Sequence, residues 1–254
     1  MNLSEIGSAN VVVIGGGIVG CSIAYHLTQL GVSDVVLLER KKLTSGTTWH
    51  AAGLVARLRA SQNMTRLSSY STELFAELAR QTGQETGYQQ TGSMTLALNP
   101  ERLEELKRQA TMANAFGVKC EVFDESFVQA QWPGIQTHDL CGGVHLPGDG
   151  QTNPVDTTLA LAKGARSNGA QIFEDTKVAR LAIENGQAVG VYLDDGTLIN
   201  AKQVVLAGGM WSREFAAQHD IHLPLHAAEH FYPVTEPLEA FTAMRPTLRV
   251  PDEQ

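Results

Sequence analysis

The sequence predicts an α/β protein, because its first forty residues read as a strand, a helix and a second parallel strand. Residues 11–14 are a continuous β-branched run, which is typical of a strand buried on both faces. A glycine-rich turn follows, and residues 18–30 then space their apolar side chains along one helical face. Gly31 is a natural helix end, and residues 35–38 give a second buried strand. Because such crossovers are right-handed, the two strands should lie parallel in one sheet.

Composition and charge limit the class of protein. The chain has 254 residues, 43% of them hydrophobic, which is enough to bury an ordinary core. Its 19 basic and 27 acidic residues argue against nucleic acid or an anionic membrane as the main partner. We expect a soluble, cytoplasmic protein, because the chain has neither a signal-like start nor an apolar run approaching the roughly 18 residues of a membrane helix. The three cysteines are expected to be reduced thiols: Cys21, Cys120 and Cys141.

The middle of the chain indicates a second lobe. Residues 43–57 are rich in Ser, Thr, Gly and Ala, which makes them too polar for a core segment. Helical patterning returns over residues 65–81 and again over residues 100–116, where Asn99 is the expected cap before Pro100. Short strands are predicted at residues 93–98, 121–123 and 143–146. This mixture of short strands and helices is typical of an inserted mixed-sheet domain.

The last hundred residues return to longer elements. A helix opens at Asn153 and Pro154 and is expected to end at Gly169. A hairpin follows, because the Asp-Asp-Gly turn at residues 194–196 separates two predicted strands, at residues 189–193 and 197–199. Two more strands are predicted, at residues 204–207 and 230–235.

The glycine-rich turn carries the first functional signal. Gly15 suits the backbone angles of the turn, Gly17 lets a pyrophosphate approach, and Gly20 lets the helix pack closely. The helix N-terminus would supply amide donors to the phosphates. Glu39 ends the second strand, where a carboxylate accepts hydrogen bonds from a ribose and repels the 2′-phosphate of NADP. We interpret this unit as a Rossmann-type dinucleotide-binding fold; the alternative is a structural turn beside a surface glutamate.

A second segment narrows the cofactor to FAD. Residues 44–54, Thr-Ser-Gly-Thr-Thr-Trp-His-Ala-Ala-Gly-Leu, resemble the flavin-attachment stretch of the dimethylglycine and sarcosine dehydrogenase family of D-amino-acid-oxidase-like flavoproteins. That resemblance implies a covalent bond from a ring nitrogen of His50 to the 8α carbon of FAD. Residues 147–150, 207–211 and 229–235 also look like family landmarks, so the similarity runs from about residue 11 to residue 236.

The resemblance also implies an architecture and a set of cofactor contacts. The fold would be glutathione-reductase-like, with FAD-domain segments at residues 8–85 and 151–215 interleaved with substrate-domain segments at residues 86–150 and 216–254. Relatives bring a second FAD-contacting segment from further along, so we expect this chain to be truncated at its C-terminus. The implied FAD contacts are Gly15, Gly17, Gly20, Glu39, Arg40, Ser45, Gly46, Thr47, Thr48, Trp49, His50, Ala52, Gly53, Leu54, Val178, Ala207, Gly208 and Trp211.

The reaction implied by the resemblance is oxidative N-demethylation of a small N-methylated amino acid. Flavin accepts hydride from a carbon beside an uncharged amine, and His230 is the candidate that deprotonates or orients the amine. The carbon unit would leave as formaldehyde or pass to tetrahydrofolate in a C-terminal region. The electrons would pass to an electron-transfer flavoprotein or to oxygen.

Several alternatives stay open at this point. His230 suits a packed core histidine equally well. The protein could instead be another amino-acid or glycerol-phosphate oxidoreductase with non-covalent FAD, or a regulatory relative without turnover. His219, His222 and His226 have a spacing that suggests a metal site, but Pro224 would break a helix aligning them, so we predict no metal.

Overall fold

The computed structural model describes residues 6–238 and 244–253, and the chain forms two compact units. The first unit comprises Met1–Ala52, Leu78–Thr86 and Asn153–His230. The second comprises Gly53–Glu77, Gly87–Thr152 and Phe231–Gln254. Thus Gly53–Glu77, which the sequence assigned to the FAD domain, belongs to the second unit.

The secondary structure elements are numbered in chain order. The strands are β1 (Ser8–Ile14), β2 (Val35–Leu38), β3 (Leu54–Val55), β4 (Ser93–Ala97), β5 (Glu121–Phe123), β6 (Gly142–Leu146), β7 (Gly150–Gln151), β8 (Gln171–Phe173), β9 (Val178–Glu184), β10 (Gln187–Leu193), β11 (Leu198–Leu206) and β12 (Thr247–Arg249). The helices are α1 (Ile18–Gln29), α2 (Gln62–Thr82), α3 (Pro100–Ala115), α4 (Glu125–Gln131), α5 (Pro154–Ser167) and α6 (Ser212–Ala217). Short 3₁₀ turns cover Thr47–His50, Gly209–Trp211 and Pro251–Glu253.

The first unit is built on a six-stranded sheet in the order β8-β2-β1-β11-β10-β9. Strand β1 pairs in parallel with both β2 and β11, so the predicted β1–α1–β2 unit is confirmed. Val12 and Ile199 are among the fully buried side chains of its core. Helices α1 and α5 approach closely, because a Cβ on Gly164 would lie 2.7 Å from the Tyr25 ring. Ile14, the last residue of β1, pairs with Leu38 of β2 and Leu206 of β11, so all three parallel strands end beside the loop that follows β1.

Strand β11 differs from the prediction. Residues 197–199 and 204–207 were expected to be separate strands, but Leu198–Leu206 is continuous. It pairs with β10 in antiparallel register at its start and with β1 in parallel register from Asn200 to Leu206. The polar side chains of Lys202 and Gln203 interrupt the apolar pattern, and both are exposed. Backbone pairing with β1 therefore carries the strand through these two residues, where the hydrophobic pattern fails.

The second unit contains a four-stranded mixed sheet in the order β12-β4-β6-β5, as predicted for an inserted lobe. Helix α3 begins at the expected cap, since Asn99 Oδ1 accepts a hydrogen bond from the Arg102 amide at 2.8 Å. A separate two-stranded pair, β3 with β7, ties Gly53–Glu77 to this unit. The chain returns to the first unit over Leu78–Thr86, so that segment ends one residue beyond the predicted boundary at residue 85.

A buried carboxylate lies in the Pro-Gly-Asp-Gly segment of the second unit. Asp149 is 2% exposed and accepts hydrogen bonds from the Arg57 amide at 2.8 Å and from Ser93 Oγ at 2.6 Å. Burial raises the pKa of Asp149, and these two hydrogen bonds oppose that rise. This landmark segment therefore has a structural explanation within its own unit.

The predicted strand at residues 230–235 is wrong. Residues 230–235 carry no strand, and both Phe231 and Val234 are 85% exposed. The prediction required the apolar side chains of this segment to be buried against a sheet, and Phe231 and Val234 are not buried. Among the described residues, none pairs with this segment in a β-ladder.

The cysteines are free, and their environments differ. Burial raises the pKa of Cys21 to about 12 and that of Cys120 to about 11, while Cys141 is exposed. Two of the three thiols are therefore held in their neutral form. A search of the described helices finds none with the length and apolar character needed to cross a membrane.

Candidate functional site

The loop between β1 and α1 requires glycine at two of its motif positions. Gly15 has a φ of +111°, and a Cβ there would lie 2.5 Å from the Ala207 carbonyl oxygen. A Cβ on Gly20 would lie 1.9 Å from the Gly15 carbonyl oxygen. The loop, the first turn of α1 and the end of β11 are thus in backbone contact, which leaves no room for side chains.

Two amides of this loop are held by side chains from elsewhere in the first unit. The Gly16 N–H donates to Glu39 Oε2 at 2.7 Å, and the Ile18 N–H donates to Thr48 Oγ1 at 3.1 Å. Gly17, the N-cap of α1, has no side chain to satisfy the helix start. Thr48 thus caps the first amide of α1, while the positive end of the helix dipole and the amides that follow suit a phosphate.

Glu39 has a second backbone contact, because its Oε1 accepts the Lys41 N–H at 2.8 Å. Both carboxylate oxygens thus bind the chain itself, which sequence reasoning did not anticipate. The contact with ribose stays a prediction beside this structural role. Each carboxylate oxygen has two lone pairs and can accept a second hydrogen bond, so a ribose hydroxyl can still donate to Glu39.

The structural role gives a testable expectation. Glu39→Ala should lower the free energy of unfolding of the FAD-free protein by about 2–3 kcal/mol, because the charge-assisted hydrogen bonds of Glu39 with the Gly16 and Lys41 amides are lost. Urea unfolding measures this, with Glu184→Ala as the control, since Glu184 is exposed at the end of β9. If Glu39→Ala unfolds like wild type while binding FAD weakly, Glu39 serves the ribose alone.

The segment matching the flavin-attachment stretch forms a 3₁₀ turn, Thr47–His50, called here the attachment turn. The ring centroids of Trp49 and His50 lie 3.8 Å apart with an interplanar angle of 36°. Trp49 is 55% exposed and His50 is exposed as well, so both rings can be reached by a cofactor. Ser45 and Ala52 are also exposed on this segment, whereas Gly53 and Leu54 begin the second unit.

Gly46, just before the attachment turn, packs on the turn that follows β11. A Cβ on Gly46 would lie 3.1 Å from the Trp211 ring, so glycine permits this approach. The Arg40 guanidinium lies 4.0 Å from the centroid of the same ring, a cation–π arrangement. Gly208 caps the 3₁₀ turn that carries Trp211. Residues predicted from three separate motifs are therefore neighbours.

A cleft of about 290 Å³ opens at the ends of the parallel strands in the first unit. Five of the predicted contacts line it: Gly15, Arg40, Val178, Gly208 and Trp211. Ala207 does not line the cleft and contributes its carbonyl oxygen to the contact with Gly15. The cleft is near the lower limit for small-molecule pockets, which suits a nucleoside-sized part of a larger ligand.

Sequence reasoning missed much of the lining of this cleft. The additional lining residues are Ile14, Leu38, Thr176, Lys177, Ala179, Asp194, Leu206, Glu214, Phe215 and Gln218. Asp194 was recognised only as part of a hairpin turn, and Lys177 forms an ion pair with it at 3.1 Å. The loop between β8 and β9 carries no sequence motif that would have predicted its position. It lies at the cleft because of the order of the strands in the sheet.

The histidines outside the attachment turn do not gather in the cleft. His230 is exposed and does not line it, so the predicted role of His230 in amine chemistry stays a prediction. His219 Nε2 accepts a hydrogen bond from the Leu181 amide at 3.0 Å. Within residues 6–238 and 244–253, no group of three or more His, Cys, Asp or Glu side chains is placed to hold a metal ion.

These features fit FAD as the bound group. The glycine loop leaves a cradle that a Cβ would fill, and the N-terminus of α1 faces the loop without a side-chain cap from Gly17. The cleft offers Val178 and the paired Arg40 and Trp211 to a nucleoside. His50 is exposed on the neighbouring segment. The donor set is therefore suited to a flavin dinucleotide.

Comparison with known proteins gives close relatives. Pyruvate dehydrogenase phosphatase regulatory subunit from Mus musculus is 39% identical over 231 residues, which cover 90% of this chain and 26% of that protein. 4-Methylaminobutanoate oxidase (formaldehyde-forming) from Paenarthrobacter nicotinovorans is 40% identical over 221 residues, with coverage of 87% and 27%. Mitochondrial sarcosine dehydrogenase from Homo sapiens is 38% identical over 243 residues, with coverage of 93% and 26%.

A solved structure and a family model also match this chain. The crystal structure of L-proline dehydrogenase from P. horikoshii matches with a TM-score of 0.85 at 26% identity, covering 96% of this chain and 65% of that one. The chain spans about a quarter of the length of the three curated relatives. Residues 10–253 match the family described as DAO, FAD dependent oxidoreductase. The chain therefore belongs to this family of FAD-dependent oxidoreductases, and its relation to the sarcosine and dimethylglycine dehydrogenases is confirmed.

Proposed function

We propose that this chain forms the FAD-binding part of a flavoenzyme that N-demethylates a small N-methylated amino acid. The observation that carries the proposal is the exposed Trp49–His50 pair on a turn hydrogen-bonded to the glycine loop. Relatives named as a sarcosine dehydrogenase and as a formaldehyde-forming methylaminobutanoate oxidase support the substrate class. When bound, FAD supplies a hydride acceptor.

The residues that would hold FAD follow from their positions in the first unit. The pyrophosphate would take the remaining amides at the start of α1, where the helix dipole favours negative charge. Glu39 would accept hydrogen bonds from the ribose. Val178, Gly208 and the Arg40–Trp211 pair would enclose the adenosine in the cleft. Arg40 would also offset the charge of the phosphates.

His50 would fix the flavin covalently. Its imidazole nitrogen would bond to the 8α carbon of FAD, with one hydrogen lost from each of the two atoms. Molecular oxygen, reduced to hydrogen peroxide, would take up these two hydrogens and their electrons. The exposed ring of His50 leaves its nitrogens accessible for this bond. A covalent bond of this kind would keep FAD on the protein when the protein is diluted.

The residues would then control the protonation of the substrate. Oxidation would remove hydride from the N-methyl carbon, which requires a free lone pair on nitrogen. His230 would accept the proton of the ammonium group, because a neutral imidazole nitrogen can act as a general base. Water adds to the resulting iminium carbon, and formaldehyde leaves with the demethylated amine. The acceptor that takes the electrons would be an electron-transfer flavoprotein or oxygen.

Anaerobic titration of the holoprotein tests this function. We expect sarcosine or dimethylglycine to bleach the visible absorbance of the flavin and to release one formaldehyde for each flavin reduced. Glycine is the matched control, because it keeps the carboxylate and amine but has no N-methyl group. A flavin that stays oxidised with every N-methylated amino acid would contradict the proposal.

A regulatory role is the second candidate, because one relative at 39% identity is named as the regulatory subunit of a phosphatase. In that case the protein would hold FAD without amine turnover and would alter the activity of a partner phosphatase. Titration separates the two functions. A protein that resists reduction by amines but binds a phosphatase would favour the regulatory role.

A further inference from the structure

We propose that Thr48 is a positioning residue that joins the attachment turn to the phosphate-binding start of α1. Through this bond, the site that binds the pyrophosphate also sets the position of His50 for attachment. The inference deepens the proposed function and rests on it. Thr48 itself forms no bond with the flavin ring in this role.

The first observation is a hydrogen bond between distant parts of the sequence. Thr48 Oγ1 accepts the N–H of Ile18, the first residue of α1, at 3.1 Å. That amide has no partner inside the helix, and the N-cap Gly17 cannot supply one from a side chain. Thr48 therefore serves as a cap from outside the helix. It is 7% exposed, so water competes little for this bond.

A second bond fixes the other end of the same stretch. The Thr44 N–H donates to the Gly16 carbonyl oxygen at 3.0 Å. Thr44 has a φ of +69°, a left-handed conformation that is rare for a β-branched residue. Such strain persists only where surrounding contacts hold it. Residues 44–48 are thus anchored to the glycine loop at both ends.

The glycine motif is shaped to accommodate this anchor. A Cβ on Gly17 would lie 3.1 Å from Thr48 Oγ1, which is tighter than an ordinary contact. A Cβ on Gly16 would lie 2.5 Å from Leu43 Cδ2. The absence of side chains at Gly16 and Gly17 therefore leaves room for Leu43 and Thr48 as well as for an approaching phosphate. His50 follows Thr48 by two residues on the same turn, so its backbone moves with this anchor.

This geometry bears on the rate of attachment. The bond from the His50 nitrogen to the 8α carbon, with oxygen accepting the two hydrogens, requires the ring to stay near that carbon. A turn fixed to the phosphate site holds both partners on one rigid element. Without the Thr48 hydroxyl, the turn loses one of its two anchors and the Ile18 amide loses its acceptor. FAD would still bind, but attachment would slow.

The test compares Thr48→Val, which is nearly isosteric without the acceptor, with Thr48→Ser, which keeps it. Thr28→Val is the control, because the Thr28 hydroxyl donates only within α1. The rate of acid-stable flavin incorporation is measured at saturating FAD. We expect about a tenfold slower rate in Thr48→Val and near-normal rates in Thr48→Ser and Thr28→Val. Affinity for FAD, measured by fluorescence quenching in a His50→Ala background, should change less than the rate.

Amide hydrogen exchange of the FAD-free protein is an independent readout. Thr48→Val should speed exchange at residues 16–20, and Thr28→Val should not. If the wild type attaches its flavin and Thr48→Val incorporates flavin at the same rate, this proposal alone is overturned. The same holds if Thr48→Val binds FAD more weakly but reaches the wild-type maximal rate. A wild-type holoprotein without acid-stable flavin would overturn the covalent part of the proposed function, and with it this role for Thr48.

Discussion

Replacing His50 with alanine is expected to convert all of the protein-bound flavin from an acid-stable to an acid-extractable form. The change removes the imidazole nitrogen that would bond to the 8α carbon, and no neighbouring residue of the attachment turn offers an equivalent nucleophile. The glycine loop and the cleft stay intact, so the variant should still bind FAD reversibly. Precipitation in acid, followed by absorbance of the pellet and the supernatant, measures the partition.

The control for this variant is His138→Ala, which removes an exposed histidine of the second unit. It should keep its flavin in the pellet. Peptide mass analysis of the wild type should place the flavin on the peptide that contains His50. Acid-stable flavin in His50→Ala would show that the attachment lies at another residue.

Gly20→Ala is expected to damage both stability and cofactor binding. The added Cβ would lie 1.9 Å from the Gly15 carbonyl oxygen, a backbone atom, so the helix or the loop must shift. Overpacking of this kind costs about 3 kcal/mol, which corresponds to a fall of roughly 6–12 °C in the unfolding temperature. Because the same shift moves the amides at the start of α1, FAD affinity should fall at least tenfold, as judged by fluorescence quenching.

Gly7→Ala is the matched control, since a Cβ at Gly7 would meet nothing within 4 Å. That variant should unfold and bind FAD as wild type does. Equal behaviour of Gly20→Ala and Gly7→Ala would mean that α1 can move away from the loop at little cost. The close approach of helix and loop would then have no part in cofactor binding.

The sequence predicted the parts of the fold that local patterns govern. The β1–α1–β2 unit, the cap at Asn99 and the hairpin between β10 and β11 were all readable, because each depends on neighbouring residues. The failures arose where distant pairing decides the outcome. Strand β11 continues through the polar residues Lys202 and Gln203 because its backbone pairs there with β1, which is distant in the sequence. Residues 230–235 alternate in polarity without forming a strand.

The candidate site divides in the same way. Gly15, Gly20 and Glu39 belong to a motif with fixed spacing, so their proximity could be inferred. The contact of Arg40 with Trp211 and that of Ile18 with Thr48 join separate segments and have no sequence signal. A resemblance to a family supplied the attachment turn, whereas the sheet order brings the loop after β8 to the cleft.

The position of β11 has a consequence for how the protein is made. Strand β1 ends at Ile14, but its partner β11 ends at Leu206, and the Gly15 turn contacts Ala207. At a synthesis rate of 5–20 residues per second, the ribosome needs about 10–40 s to add the intervening chain. Through that interval one edge of β1 lacks its neighbour, and the glycine loop lacks the backbone against which it closes. The nascent chain must therefore be protected from pairing with other strands, and a finished phosphate cradle can arise only after β11 has emerged.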